Sequence, residues 1–177
     1  LTAHHDAGIR GLNNQLVKNL ILVIENKGYQ VYISVEGEIA PELSAYQLKI
    51  NQNDIHHILA FASLLISDSQ SMSVEAAMLG VPSLRFSDFS GRISVLEELE
   101  QRYRLTYGVK TNDPDRLIGL TSELLENRDI RSLFQQYRKQ MLSDKIDVTA
   151  FMVWFIEHYP ESVNVMKHNP DYQHQFN

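Results

Sequence analysis

Ser63-Leu-Leu-Ile-Ser67, Asp68-Ser-Gln-Ser71, Met72 to Leu79 and Val81-Pro-Ser-Leu-Arg-Phe86 read in turn as strand, turn, helix and strand. The first run is short and apolar, the type found in strands buried on both faces. Gly80 is a stop for the helix, because glycine takes the left-handed cap at no steric cost. Two strands joined through a helix lie parallel, since a tight turn joins only antiparallel ones. In such sheets ligands bind at the carboxyl ends of the strands. The turn from Asp68 to Ser71 is therefore where function is expected.

The rest of the chain repeats the alternation. Leu12, Leu16, Leu20, Ile21 and Ile24 recur at helical spacing and predict a helix over Leu12 to Lys27. Gln30-Val-Tyr-Ile-Ser-Val35 reads as a strand, Glu36-Gly-Glu-Ile-Ala-Pro41 as a loop and Tyr46 to Ile50 as a short strand. A helix follows over Asp54 to Ala62, capped by Asn53 or Asp54. Beyond Phe86, Ile93 to Gln101 is helical and Leu105 to Val109 is a strand. Asp113-Pro114 opens a helix whose buried face carries Leu117, Ile118, Leu120, Leu124 and Leu125, with proline in the first turn, where its missing N–H costs nothing. Helices over Ile130 to Leu142 and Val148 to His158 complete the pattern. The prediction is an α/β domain over residues 1–159: a Rossmann-like parallel sheet with helices on both faces. Residues 160–177 read as a polar, irregular tail.

Composition excludes several function classes. The 177 residues carry 16 basic and 22 acidic side chains, a net charge of −6. Nucleic acid and anionic membrane both call for a basic face, so neither is the expected partner. There is no cysteine, hence no disulfide framework, thiolate metal site or cysteine nucleophile. The longest apolar runs, Leu20 to Ile24 and Ala150 to Ile156, fall far short of the about 20 residues of a membrane span. With no visible signal peptide, these features fit a cytoplasmic chain. It starts at Leu1, not Met, and its first residues read like the end of a structural element. It is therefore expected to be a fragment of a longer protein.

At the central turn, the free N–H groups and positive dipole end of the helix make a ready anion site. Ser69 and Ser71 add hydroxyls beside it. Glu75 lies four residues after Ser71, on the same helix face. A diphosphate at the helix start would leave an attached ribose about one turn along, where a carboxylate could accept from two hydroxyls. The alternative is that Ser71 is only an N-cap and Glu75 a solvated helix residue. A capping box places its acid three positions after the cap, which from Ser71 is Val74. Ala76-Ala77 after Glu75 reads as a helix packed closely on the sheet.

The stretch from Ile66 to Arg85 resembles the nucleotide-binding segment of UDP-N-acetylglucosamine 2-epimerases and of the related GT-B glycosyltransferases. Asp68-Ser69 is similar to the start of their Asp-Ser-Gly-Gly, and Glu75-Ala76 to the end of their Glu-Glu-Ala. Leu79, Gly80, Pro82 and Arg85 are similar to their Leu-Gly-x-Pro and the basic residue after the strand. Leu1-Thr-Ala-His-His-Asp6, with Gly8 and Gly11, is similar to their Thr-x-His-Arg-x-Glu motif, about sixty residues upstream. The likeness is greatest to a less characterised, glycosyltransferase-like branch, through Glu36-Gly37, Phe89-Ser-Gly91 and Leu96-Glu-Glu-Leu-Glu100. It covers roughly Leu1 to Val109.

The resemblance implies the C-terminal, nucleotide-sugar-binding half of a GT-B fold, with a UDP-sugar as substrate and no separate cofactor. It implies that Ser69, Ser71 and the helix start hold the diphosphate, with Asp68 and Arg85 in the same site. It implies that Glu75 holds the ribose and that His4 lies near the diphosphate. The base would contact the loop from Ile50 to Asn53. Catalytic groups, His4 aside, would come from the N-terminal domain, so the fragment alone is expected to be inactive. This chain departs from the epimerases at Gln70 and Ser71, which stand for the two glycines, and at His5, which stands for arginine. Arg85-Phe-Ser-Asp-Phe-Ser-Gly-Arg92 replaces their Arg-x-x-Thr-x-Arg-Pro-Glu. These gaps count against epimerisation and leave a nucleotide-sugar site intact.

Two other readings stay open: a non-catalytic nucleotide-binding or regulatory module, and an unrelated flavodoxin-like domain. His4, His5 and Asp6, with His56-His57, are metal-ligand candidates by residue type. Adjacent histidines point apart, so neither pair chelates alone. A serine hydrolase would need Gly-x-Ser-x-Gly, which Asp68-Ser-Gln-Ser71 lacks. Trp154 and Phe155 sit in an apolar helix as core or as an interdomain contact.

Overall fold

The computed structural model describes residues 11–35 and 37–176. Strands β1 (Leu65–Ser67), β2 (Ser83–Phe86) and β3 (Tyr107–Val109) form a parallel sheet in the order β1-β2-β3. Helix α3 (Gln70–Leu79) crosses from β1 to β2, and α4 (Ser94–Gln101) from β2 to β3. Right-handed crossovers in the same direction put both helices on one face, and α3 and α4 do pack together. Helix α5 (Pro114–Glu126) follows β3, packs on β2 and β3, and carries α1 (Asn14–Asn26). Every residue of β2 is buried, so both of its faces are covered. Short α2 (Ile55–Leu59) precedes β1, and α6 (Ile130–Ser143) follows α5. The chain is thus a mixed α/β structure on a small parallel sheet.

The apolar pattern explains the core. Leu16, Leu20 and Ile21 of α1 and Leu117, Leu124 and Leu125 of α5 are buried at the spacing that defines a helix face. Leu84, Leu105 and Leu117 are fully buried, and burying a side chain of this size contributes roughly 1.5–3 kcal/mol. Lys27 Nζ bonds Glu126 Oε1 at 2.6 Å, and the Tyr29 hydroxyl donates to the Leu125 carbonyl at 3.2 Å, so the ends of α1 and α5 are tied as well. The lysine holds the Glu126 carboxyl below its ordinary pKa through its hydrogen bond and its charge.

Several expectations need correction. Residues 31–35 alternate half-buried and exposed, as a strand would. Their only pairing among the described residues is an isolated parallel bridge, Ile33 to Gln47. The turn Pro41–Tyr46, a 3-10 helix, delivers that single residue into register, and no ladder grows from it. The expected strands over 30–35 and 46–50 are therefore one bridge. Residues beyond Pro160, expected to be irregular, form α8 (Glu161–His168) and a 3-10 segment, Pro170–Phe176. Chain contacts divide the molecule into two compact units, on either side of Arg138/Lys139.

The later unit is organised by α7 (Val148–Glu157). Trp154 lies 4.7 Å from the Tyr172 ring and 5.5 Å from Phe176. The Ser162 hydroxyl donates to the Phe155 carbonyl at 2.7 Å. Aromatic contact recruits the tail into structure, although its composition is polar.

One row of the sheet sets the position of α4. Ser67, Arg85 and Gly108 are paired across the three strands. Arg85 is wholly buried, and its Nη2 donates to Glu100 Oε2 at 2.5 Å. The Gly108 N–H donates to the same oxygen at 2.9 Å. A methyl on Gly108 would stand 3.0 Å from Arg85 Nη2 and 3.1 Å from Ser90 Cβ. Gly108→Ala should therefore lose about 1–3 kcal/mol by overpacking. Gly119, inside α5, has nothing within 4 Å of the added methyl. Gly119→Ala should gain roughly 0.5–1 kcal/mol from helix propensity. Chemical denaturation of both variants checks the pair of opposite signs.

Candidate functional site

The central turn stands at the carboxyl end of β1. Ser69 is the N-cap of α3, its Oγ accepting from the Met72 N–H at 3.4 Å. The Ser69 N–H donates to Ser67 Oγ at 3.0 Å, which fixes the turn onto the strand. The cap is thus two residues earlier than the alternative that assigned it to Ser71. The first N–H groups, at Gln70 and Ser71, have no carbonyl of their own helix to bond. No acidic residue lies in the first turn to compete for the positive dipole end.

The hydroxyls converge. Ser69 Oγ and Ser71 Oγ are 3.1 Å apart, and Ser71 is exposed. Ser73, one turn on from Ser69, points inward: it is fully buried, and its hydroxyl donates to the Ser69 carbonyl at 3.2 Å. Gln70 folds back, its Nε2 donating to the Asp68 carbonyl at 3.2 Å, while its Oε1 is buried with no partner among the described residues. Two hydroxyls and two free N–H groups are therefore gathered at one helix end, an arrangement able to donate to an anion.

Asp68 is packed against the start of the described chain. A methyl on Gly11 would meet Asp68 Oδ2 at 2.5 Å, so only glycine admits this approach. Gly11 also lines a cleft of about 620 Å³ at the sheet's carboxyl edge, with Asn13, Phe86, Thr111, Pro114 and Asp115 among its walls. The cleft thus opens beside the Asp68 turn, between the N-termini of α1 and α5. Asp88 accepts a short hydrogen bond from the Thr111 hydroxyl nearby, joining the loops after β2 and β3.

Glu75 is partly exposed one turn beyond Ser71, and its Oε2 accepts from His56 Nε2 at 2.9 Å. It is neither a capping partner nor a free solvated charge. By residue type His56 is a metal candidate; in the fold it is the partner of Glu75. It lies 19 positions away on α2, and no local spacing signals the pairing. Arg85 is buried and bonded to Glu100 of α4, with Nε and Nη1 lacking partners among the described residues. There it holds helix to sheet, whereas the resemblance gave it a nucleotide contact. His4, His5 and Asp6 lie outside the described residues. Among the described residues, no three His, Asp or Glu side chains converge to hold a metal, and no helix is long and apolar enough to cross a membrane.

The chain matches no family model, no curated protein and no solved structure. Its functional reading therefore stands on the residues of this turn.

The two serines separate by role. Ser69→Ala removes the cap and should cost about 1 kcal/mol of stability. Ser71→Ala removes an exposed hydroxyl that caps nothing and should stay within about 0.5 kcal/mol of wild type. Urea unfolding of the two variants measures the difference.

Proposed function

We propose that this chain is the nucleotide-sugar-binding half of a GT-B type, glycosyltransferase-like or sugar-epimerase-like enzyme, built on a Rossmann-like sheet and taking a UDP-sugar. The observation that carries the reading is the start of α3 at the carboxyl end of β1. It presents Ser69, Ser71 and two unbonded N–H groups, with Glu75 one turn beyond. The contact between Gly11 and Asp68 adds support, because it joins the end of the first resembled motif to the start of the second.

In this reading the diphosphate sits on the helix start. The dipole and the two hydroxyls stabilise the charge that grows on the departing nucleoside diphosphate as the sugar bond breaks. Glu75 accepts from the ribose hydroxyls. Gln70, in place of glycine, is turned onto the Asp68 carbonyl and leaves its own N–H at the helix start. The acceptor pocket and the catalytic base belong to a facing domain, whose closure excludes water.

The test is calorimetric titration with UDP, and with pyrophosphate as a ligand lacking the ribose. A hydrogen bond to a charged group is worth roughly 1.5–3 kcal/mol. Glu75→Ala should therefore weaken UDP about ten- to a hundredfold, about 1.4 kcal/mol being tenfold. Pyrophosphate should bind both proteins alike. Equal weakening of both ligands, or no binding of UDP to wild type, overturns the assignment.

A further inference from the structure

We infer that His56 is a positioning residue for the ribose: it holds the Glu75 carboxylate in the orientation that reads the 2′,3′-diol. The inference rests on the nucleotide reading of this site and adds a residue that reading does not contain. His56 Nε2 stands 2.9 Å from Glu75 Oε2 and donates to it when that nitrogen is protonated. Each carboxylate oxygen has two lone pairs. One bond from the imidazole therefore leaves Oε1 whole and half of Oε2 for two hydroxyls.

A glutamate on a helix has three rotatable side-chain bonds, and freezing them on binding costs entropy. An imidazole that fixes the carboxylate beforehand reduces that cost, the general gain of preorganisation. The backbone on either side is suited to the task. Ala76 and Ala77, the residues after Glu75, are fully buried, so the α3 end of the bond is anchored. His56 belongs to α2, whose buried Leu59 packs with Ala76 and Val81. The chain enters α2 from the turn Gln52–Asp54, which overlaps the loop Ile50 to Asn53 to which the resemblance assigned the base. The His56–Glu75 bond therefore ties that loop to the ribose carboxylate across 19 residues. Both side chains are partly exposed, His56 at 58% and Glu75 at 36%, so a ligand has access and the bond adds little to fold stability.

The experiment titrates the chain with UDP and with 2′,3′-dideoxy-UDP, which lacks the diol. Wild type should prefer UDP. His56→Ala should reduce that preference about two- to fivefold, the span open to one exposed ion pair. Its melting temperature and its affinity for the dideoxy ligand should not change. His56→Gln, whose amide nitrogen can reach the same carboxylate, should restore the preference. In a Glu75→Ala background, His56→Ala should have no further effect. If Glu75→Ala erases the preference and His56→Ala leaves it intact, the inference falls and the nucleotide reading stands. Equal loss in His56→Ala and His56→Gln also overturns it. If wild type binds both ligands equally, or neither, the ribose reading of Glu75 fails and takes the inference with it.

Discussion

Ser73, Ala76 and Ala77 have no exposed surface at all, and together they make one side of α3 almost flat. The rest of the site depends on that closeness. A helix with small residues toward a sheet approaches it more nearly than one with leucines there, and its start is then held tightly against the end of the preceding strand. The other end is fixed as firmly. Gly80 takes the left-handed conformation with φ of 68°, and Gln135 Nε2 of α6 donates to the Leu79 carbonyl at 2.8 Å. Arg138 Nε donates to the Met78 carbonyl at 2.5 Å. The carbonyls that a helix end leaves open are thus met by side chains from another element. Among the described residues, the N-terminal end is left with backbone groups to spare.

A second constraint acts across the sheet. The Arg85–Glu100 pair places a wholly buried guanidinium under α4, bonded to a carboxylate that is only partly buried. Glu97 stands 3.6 Å from the same nitrogen. With two carboxylates beside it, Arg85 has its charge balanced inside the protein. The resemblance reads the arginine of this strand as a binding group. In the fold it has become the strut between β2 and α4, because Gly108 gives it room to lie across β3. The pattern could not separate the two roles. The decision lies in a residue 23 positions downstream that has no side chain.

What was legible in the sequence follows the same rule. Elements with their own periodicity were readable: α1, α5 and α6 fall within a few residues of the ranges that Leu16, Leu20, Leu117 and their neighbours predict. So were β1, α3 and β2, where an apolar run and a glycine stop agree. Elements that depend on distant partners were not. Val31 to Val35 has strand composition, but strand composition does not supply a neighbour. The tail is polar, yet Tyr172 and Phe176 close on Trp154 and fold it. At the site, Ser69, Ser71 and Glu75 were readable as a local group, since the four-residue spacing of Ser71 and Glu75 is a helix property. The cap at Ser69, the contact of Gly11 with Asp68 and the bond from His56 were hidden, the last two because they join segments far apart in the chain.

The chemistry of the helix start also bears on how it would select a ligand. The donors there are neutral hydroxyls and backbone N–H groups, in a chain of net charge −6. Long-range attraction cannot bring an anion to it, because the field of such a protein repels one on average. On the proposed reading, selection would come from short-range geometry: N–H groups fixed by the helix, Oγ atoms 3.1 Å apart, and a carboxylate one turn beyond. A bare phosphate gains only the first part of this arrangement. On the proposed reading, a ligand carrying a diphosphate followed by a diol would gain all of it, and the carboxylate would set which end of the ligand lies at the helix start. Glu75 would in this way fix direction as well as affinity, since reversing the ligand would bring its charge against the carboxylate.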